Sequence, residues 1–443
     1  PTGQQTTYGR IKGSYDASTS TWTDDAQDGT WLKQWTTHGS SASPEGEIST
    51  ANGDSLSTRE VSIINPEGRT VLTQTYVYTG SSTYELMTET IMTYGEDADG
   101  RLNMVTTTRD GRIISETEYP DEFTTIRTDE IGSSITTVTD TLGRTISSTQ
   151  SGAIPRVTTY SYLGRSEMVT VTAGALSHSN TKTYDMLGRL SSTTDNYGTT
   201  VSYSYTNSGK INTVSRNGGA TQTTEMHADG RTKSVTGSAV IASYYSYSVN
   251  ATTGEMKTRE DRGSSLSDRY QESVSAWNGR TSSTTRPGPP SSPDVITTYH
   301  YNAVGQLVRI SNSASNTADQ IYEYDVMGNQ SARGQDYNSD GLLTRLNSLD
   351  RVSESFYGYH KVDGMWWRRS ASQVYATNNS APAISLGDSL TRIKALDSND
   401  RAAETRQIQP EPGGAGNFTT IQYSVIDRGN ANVTETTDLP NSN

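Results

Sequence analysis

A short phrase recurs through this 443-residue chain and fixes the length of any structural unit built from it: an Asp or Asn, two variable residues, a Gly and then a basic residue. It reads NPEGRTV (65–71), DADGRLNMV (97–105), RDGRII (109–114), DTLGRTI (140–146), YLGRS (162–166) and YDMLGRL (184–190). It continues as TNSGKI (206–211), HADGRT (227–232), TTGEM (252–256), WNGRT (277–281), YNAVGQL (301–307) and YDVMGNQ (324–330), with a degenerate SLDRV at 348–352. From Gly143 onward the glycines fall at 164, 188, 209, 230, 254, 279, 305 and 328, in steps of 21 to 26 residues. A step of that size holds two strands of about five to eight residues and two turns, so each unit is a β-hairpin.

In TKTYDMLGRLSSTTDNYG (181–198) the spacing predicts a strand over 181–184, a turn over 185–188, a return strand over 189–194 and a second turn over 195–198. Asp185 opens the turn because its carboxylate can accept backbone N–H groups, and Gly188 closes it because it takes positive φ without steric cost. Arg189 leaves the turn beside Asp185, within reach of carbonyls or of a neighbouring hairpin's carboxylate. Asp325 and Gly328 hold the same places in YDVMGNQ. The Tyr ahead of each turn is expected to lie against the next unit in a ladder of aromatic cross-strand contacts. A lone hairpin is marginal in water, so the units must stand side by side in one continuous antiparallel sheet. The expected fold is therefore all-β, a tandem hairpin array whose sheet coils into a hollow shell or barrel.

Composition shows why such a sheet is needed. Only 31% of residues are hydrophobic and there are 26 Tyr against 3 Phe; mean hydropathy is -0.70. A conventional thick core is out of reach, and Tyr rings and Thr methyl groups have to replace it. With a net charge of -13 the profile borders on that of disordered chains, but period-2 runs of Thr, Tyr, Val and Ile place it among folded β proteins. The absence of Cys removes disulfides and thiolate metal sites. No 18-residue apolar stretch is present, and a chain opening on Pro1 without a charged and apolar leader reads as a mature or excised piece. An acidic pI near 4.9 with scattered Arg does not suit nucleic acid, which requires a clustered basic face. The Thr/Ser/Gly/Asn-rich, Lys-poor composition points to a secreted or cell-surface protein.

The tandem phrases YDMLGRLSSTTDNYGTTVSYSY (184–205), YNAVGQLVRIS (301–311) and YEYDVMGNQS (322–331) resemble the tyrosine-aspartate repeats of the YD-repeat, or Rhs, family, with the similarity clearest over 97–355. The resemblance implies a long sheet spiralling into a hollow shell lined by polar residues. In bacterial toxin complexes such a shell encloses a toxin, and in teneurins it belongs to an adhesion receptor. Toxin-bearing members end the shell with an Asp-Pro and Gly-Leu core where an aspartate-dependent self-cleavage frees the cargo. Here NSDGLLTRLNSLDRV (338–352) supplies Gly341-Leu342 without the proline, so self-cleavage transfers to no residue of this chain.

Three segments are expected: a Trp-rich cap over 1–60, the hairpin array over 61–355, and an irregular aromatic and basic block with a tail over 356–443. Trp22, Trp31 and Trp35 cluster in the first, where they either cap an open sheet end or, as Trp31 and Trp35, offer a sugar-stacking platform. RPGPPSSPDV (286–295) is a stiff loop between hairpins. In the last segment Trp366, Trp367, Arg368 and Arg369 form the best ligand-contact cluster, with an edge or plug cap as the alternative. SLTRIKALDSNDRAAETRQI (389–408) is read as a short helix or an irregular strand pair.

The five His residues lack ligand spacing, no metal or other cofactor is indicated, and no nucleophile elbow, phosphate loop or dinucleotide fingerprint occurs. DYNSDG (336–341) alternates Asp336, Asn338 and Asp340 as a calcium loop does, but position twelve is Asn347 where a Glu is needed, which weighs against calcium. If the chain were an enzyme, Tyr357, Tyr359, His360 and Arg368 are the types a lyase of acidic polysaccharides uses for proton abstraction and charge neutralisation. The leading expectation is a non-enzymatic shell or scaffold that encloses or displays a polypeptide. A carbohydrate-binding or carbohydrate-cleaving repeat protein and a subunit self-assembling through sheet edges are the alternatives.

Overall fold

The computed structural model describes residues 4–25, 27–49, 53–129, 132–314, 317–346, 348–362, 364–375, 383–394, 402–409, 417–426, 429–431 and 437–439. Strands account for nearly all regular structure, and a single 3-10 turn at Asn207–Gly209 is the one helical element among the described residues. All strands belong to one antiparallel sheet. The order is a meander in which each strand pairs with the next in the chain, as Arg156–Leu163 does with Ser166–Ala173 and that with Leu176–Tyr184. Both ends depart from it: Gln4–Asp16 sits between Thr21–Asp24 and Trp31–Ser40, and Asn417–Ile426 pairs with both Gly429–Ala431 and Thr437–Leu439.

The turn phrase is built as the residues require. Asp185 Oδ1 accepts the backbone N–H of Leu187 at 2.8 Å and of Arg189 at 2.9 Å. The Gly188 N–H reaches the Asp185 carbonyl at 3.1 Å and that of Asp185 the Arg189 carbonyl at 2.8 Å. Gly188 lies at φ 75° with open space where a Cβ would stand. The register shifts between Thr183 and Tyr184, so the extra residue is absorbed as a bulge beside the turn. The same pair of Oδ1 bonds recurs at Asp97, Asp140, Asp195 and Asp325. Every pivotal glycine from Gly143 to Gly328 has positive φ.

The tyrosines pack differently from the expected aromatic ladder. Among the described residues aromatic pairs are sparse: within the array they include Tyr78 with Tyr84 at 5.4 Å and His227 with Tyr247 at 5.8 Å. Tyr94, Tyr162, Tyr205, Tyr247 and Tyr301 each receive instead the guanidinium of an earlier turn and donate a hydrogen bond to the carbonyl of the residue after that Arg, whereas the Tyr184 hydroxyl donates to Glu167 Oε2 at 3.2 Å. Arg189 stacks 4.4 Å over Tyr205, whose hydroxyl donates to the Leu190 carbonyl at 2.9 Å. Arg144 and Tyr162, Arg231 and Tyr247, Arg280 and Tyr301, and Arg69 and Tyr94 repeat the clasp. The reason is chemical: a Tyr ring on a wet sheet gains more from a cation and a carbonyl than from a second half-exposed ring.

Two compact units are present: 1–136 with 303–306 and 321–443, and 137–302 with 307–320. In the first, Val61, Ile63, Leu72, Val77, Trp367 and Leu390 are buried, and Ile321, Ala332, Leu343 and Val352 form a cluster. In the second, no apolar residue among those described is buried; Ser234 and Asp261 are its buried side chains. The proline-rich 286–295 segment is a hairpin loop closed by Arg286 opposite Val295. Where a short helix or a strand pair was expected at 389–408, the strand pair forms, Ile384–Lys394 against Ala402–Gln409 with Ser389 opposite Gln407; residues 395–401 lie outside the described residues.

Candidate functional site

The aromatic and basic block is a hairpin, Arg351–Val362 against Met365–Val374. Its register puts Gly358 opposite Arg369, His360 opposite Trp367 and Tyr359 opposite Arg368. Since alternate residues point to opposite faces, His360, Trp367 and Arg369 share one face, and Tyr357, Tyr359, Trp366 and Arg368 share the other. The lyase-like set is therefore divided: His360 cannot act with Tyr357, Tyr359 and Arg368 on one substrate.

The face of His360 closes on a loop from the other end of the chain. Beyond the part of Arg351–Val362 that pairs with Gln330–Asp336, its edge bridges Ser55: the Tyr359 N–H donates to the Ser55 carbonyl at 2.8 Å, and the Ser55 N–H to the Tyr359 carbonyl at 3.0 Å. Gly358 makes the approach possible, since a Cβ there would stand 2.9 Å from the Ser55 carbonyl oxygen. Next to this bridge Asp54, 2% exposed, takes His360 Nδ1 on Oδ1 at 2.5 Å and Arg369 Nη1 on Oδ2 at 2.7 Å. Arg369 also grips Asp388 through Nε at 2.9 Å and Nη2 at 2.5 Å. The Asp388 carboxylate, with Asp54 behind it, holds the Arg369 guanidinium firmly protonated. The carboxylates of Asp54 and Asp388 and the Arg369 guanidinium thus find their partners within the node. Trp367 is fully buried, so as a ligand contact it is corrected to a core residue.

On the opposite face, Trp366 Nε1 donates to Glu85 Oε2 at 3.1 Å, and Lys361, 5.7 Å from the Trp366 ring, pairs with the same carboxylate. That Lys361 bond, followed by the one from Trp366, lowers the Glu85 pKa. Tyr357 and Arg368 stay exposed.

The N-terminal tryptophans belong to a second feature. Trp35 lies on Gly9, its register partner, where an added Cβ would stand 2.2 Å from the indole. Trp31 sits opposite Gly13 with its ring 5.6 Å from Tyr15. One face of this sheet carries an open groove of about 430 Å³ lined by Ile11, Asp24, Lys33, Trp35, Arg59, Val61, Tyr76 and Tyr84. Arg59 is fixed there, 3.8 Å over the Tyr84 ring, with Nη2 bonded to its hydroxyl at 2.9 Å and Nε to Thr37 at 2.9 Å. Trp35 is in the groove and Trp31 is not. Sequence reading missed Asp54, Asp388, Arg59, Tyr76 and Tyr84; only the Tyr–Arg richness of these strands hints at the last three.

No family model matches the chain, and no curated protein matches it. Solved structures with some likeness include TcdB2-TccC3-Cdc42, at 11% identity and a TM-score of 0.24 over 88% of this chain and 28% of that one. A Photorhabdus luminescens Tc holotoxin pore carrying a TccC3 mutation gives 11% and 0.25 over 88% and 27%. A porin-like protein from Bacteroides uniformis gives 10% and 0.12 over 74% and 94%. This chain thus spans just over a quarter of the first two, and TM-scores this low do not establish a common architecture. What stands on the coordinates themselves is an all-β array of tandem hairpins in one antiparallel sheet.

Proposed function

We propose that the chain is a non-enzymatic wall segment of the YD-repeat type, secreted or surface-exposed, which encloses a polypeptide. The observation that carries this reading is the iterated Asp turn and Arg–Tyr clasp, which repeats one hairpin across both units. A sheet of 137–302 and 307–320 without a buried apolar residue among those described suits a wall wet on both faces. The Trp-rich start and the 356–443 block serve in this reading to fasten the wall, since the Asp54, His360, Arg369 and Asp388 node joins residues more than 300 positions apart in sequence. Small-angle scattering on the purified chain tests it: a hollow body is expected, and an extended solid ribbon or filaments in electron micrographs would replace enclosure with assembly. Glycan binding is the second reading, favoured by the groove at Trp35, Tyr76, Tyr84 and Arg59, where aromatic faces lie beside charged hydrogen-bonding groups.

A further inference from the structure

We propose that the loop from Asp336 to Asp350 binds one calcium ion. One carboxylate oxygen from each of Asp336, Asp340 and Asp350 lies within 4.8 Å of the others. Asp336 and Asp350 are each only 2% exposed. The decisive feature is Asp336 itself: Oδ2 accepts the Gly341 N–H at 2.8 Å, while Oδ1 is buried and has no hydrogen-bond partner. A buried carboxylate oxygen without a donor is costly. Beside two further carboxylates it is costlier still, and no ion pair to a Lys, Arg or His is formed by any of the three among the described residues. The nearby Arg345 is engaged by Glu323 and Glu354. A hard divalent cation removes both penalties, because it accepts the free oxygen as a ligand and cancels the mutual repulsion.

The loop also explains how a calcium reading survives the wrong residue at position twelve. Asp336, Asn338 and Asp340 occupy positions one, three and five, and Gly341, at φ 81°, stands at six where the chain must turn sharply. The acidic residue missing at position twelve is supplied by Asp350, three residues later. Asp350 is fixed in place by the N–H groups of Tyr337 at 2.9 Å and Thr344 at 3.0 Å. Calcium takes about six to eight oxygens and tolerates irregular geometry, so carbonyl oxygens and waters can complete the shell, whereas magnesium demands a near-ideal octahedron. The ion would fasten a loop that delivers Leu343 to the cluster of Ile321, Ala332 and Val352.

Titration calorimetry of the full chain, stripped with chelator, against CaCl2 and separately MgCl2 provides the test. One saturable calcium site is expected, with a dissociation constant of about 10⁻⁴ to 10⁻³ M and weaker magnesium binding. Terbium added in place of calcium should show emission sensitised by Tyr337 and displaced by calcium. Asp336→Asn should weaken binding at least tenfold, and Asp340→Asn, at an exposed position that leaves the buried pair intact, should weaken it without loss of fold. Absence of calcium heat and of terbium emission from the folded wild-type chain would overturn the proposal. So would an Asp336→Asn chain that is more stable than wild type in saturating calcium, since the carboxylates would then only repel.

Discussion

Replacing Asp54 by Ala tests whether the node it forms holds the two ends of the chain together. Its carboxylate is 2% exposed and accepts two charged hydrogen bonds, at 2.5 Å from His360 and 2.7 Å from Arg369. Each such bond is worth about 1.5–3 kcal/mol. The Arg369 bond belongs near the top of that range, because its side chain is 18% exposed; the His360 bond belongs lower, because its ring is 33% exposed and can rehydrate. Arg369 keeps Asp388, which spares the full cost of an orphaned buried charge. The expected loss is about 3–4 kcal/mol. Urea unfolding followed by tryptophan fluorescence reads it selectively, since Trp22, Trp31, Trp35, Trp366 and Trp367 all lie in the first unit and Trp277, in the second, is 82% exposed. The midpoint should fall by about 1 M or more with the slope unchanged. His360→Ala should cost about 1–2 kcal/mol and couple to the Asp54 change by more than 0.5 kcal/mol in a double-mutant cycle. A loss below about 0.5 kcal/mol for Asp54→Ala, or strict additivity with His360→Ala, would refute the idea that this contact fastens the wall.

Tyr205→Phe keeps the ring under Arg189 and deletes only the bond to the Leu190 carbonyl, so a loss of about 0.5–1 kcal/mol is expected by denaturant titration, against no change for Tyr→Phe at the exposed Tyr197. Gly188→Ala meets no atom within 4 Å but forces an L residue to φ 75°, which should lower stability by about 1–2 kcal/mol, measured the same way. Acid should loosen the turns. The Arg189 N–H holds the Asp185 carboxyl below its ordinary 3.8, and the Arg144 side chain does the same for Asp140. A depressed folded pKa gives stability that is complete above the unfolded value and disappears as pH falls through the folded one, so unfolding midpoints should hold at neutral pH and drop only below about pH 4. If the groove binds glycan, Trp35→Ala should abolish retention on an acidic-polysaccharide array while Trp31→Ala leaves it, with both variants folded by circular dichroism.

The turns were legible in the sequence because everything they need is local. Asp185 finds its donors at Leu187 and Arg189, two and four residues on, and a positive φ is written directly as Gly. The return strand formed within one residue of its expected place, at Leu190–Asp195, but the strand ahead of Asp185 begins at Leu176, five residues before its expected start. Partners at variable distance escaped. Arg189 meets Tyr205 after 16 residues, but Arg69 reaches Tyr94 after 25, because the strands between them lengthen, from Leu190–Asp195 and Thr200–Thr206 to Thr70–Gly80 and Thr83–Glu96, while the clasp does not change. The long-range node was invisible for a stronger reason: in ANGDSLS, Asp54 looks like another turn residue, and nothing local marks it for a His 306 residues away. Asp350 escaped because ligand counting stopped at position twelve, whereas a loop with two more residues after it delivers the carboxylate from position fifteen.

The two units show how far such local devices can carry a fold without a core. Each clasp and turn joins a hairpin only to its neighbour, so the 137–302 sheet gains stability pair by pair, as in a quasi-one-dimensional array. The first unit adds what that arrangement lacks: buried Leu72, Val77, Trp367 and Leu390, and a charged node across the chain. Cooperative unfolding should therefore belong to the first unit, with the second opening hairpin by hairpin at lower cost. Amide exchange distinguishes the two, and the strands Thr70–Gly80 and Met365–Val374 should outlast Leu190–Asp195 and Ile211–Arg216 by orders of magnitude. Equal protection across all four would mean that the second unit draws stability from something other than its own neighbouring strands, which is the condition expected of a wall that has closed around its contents.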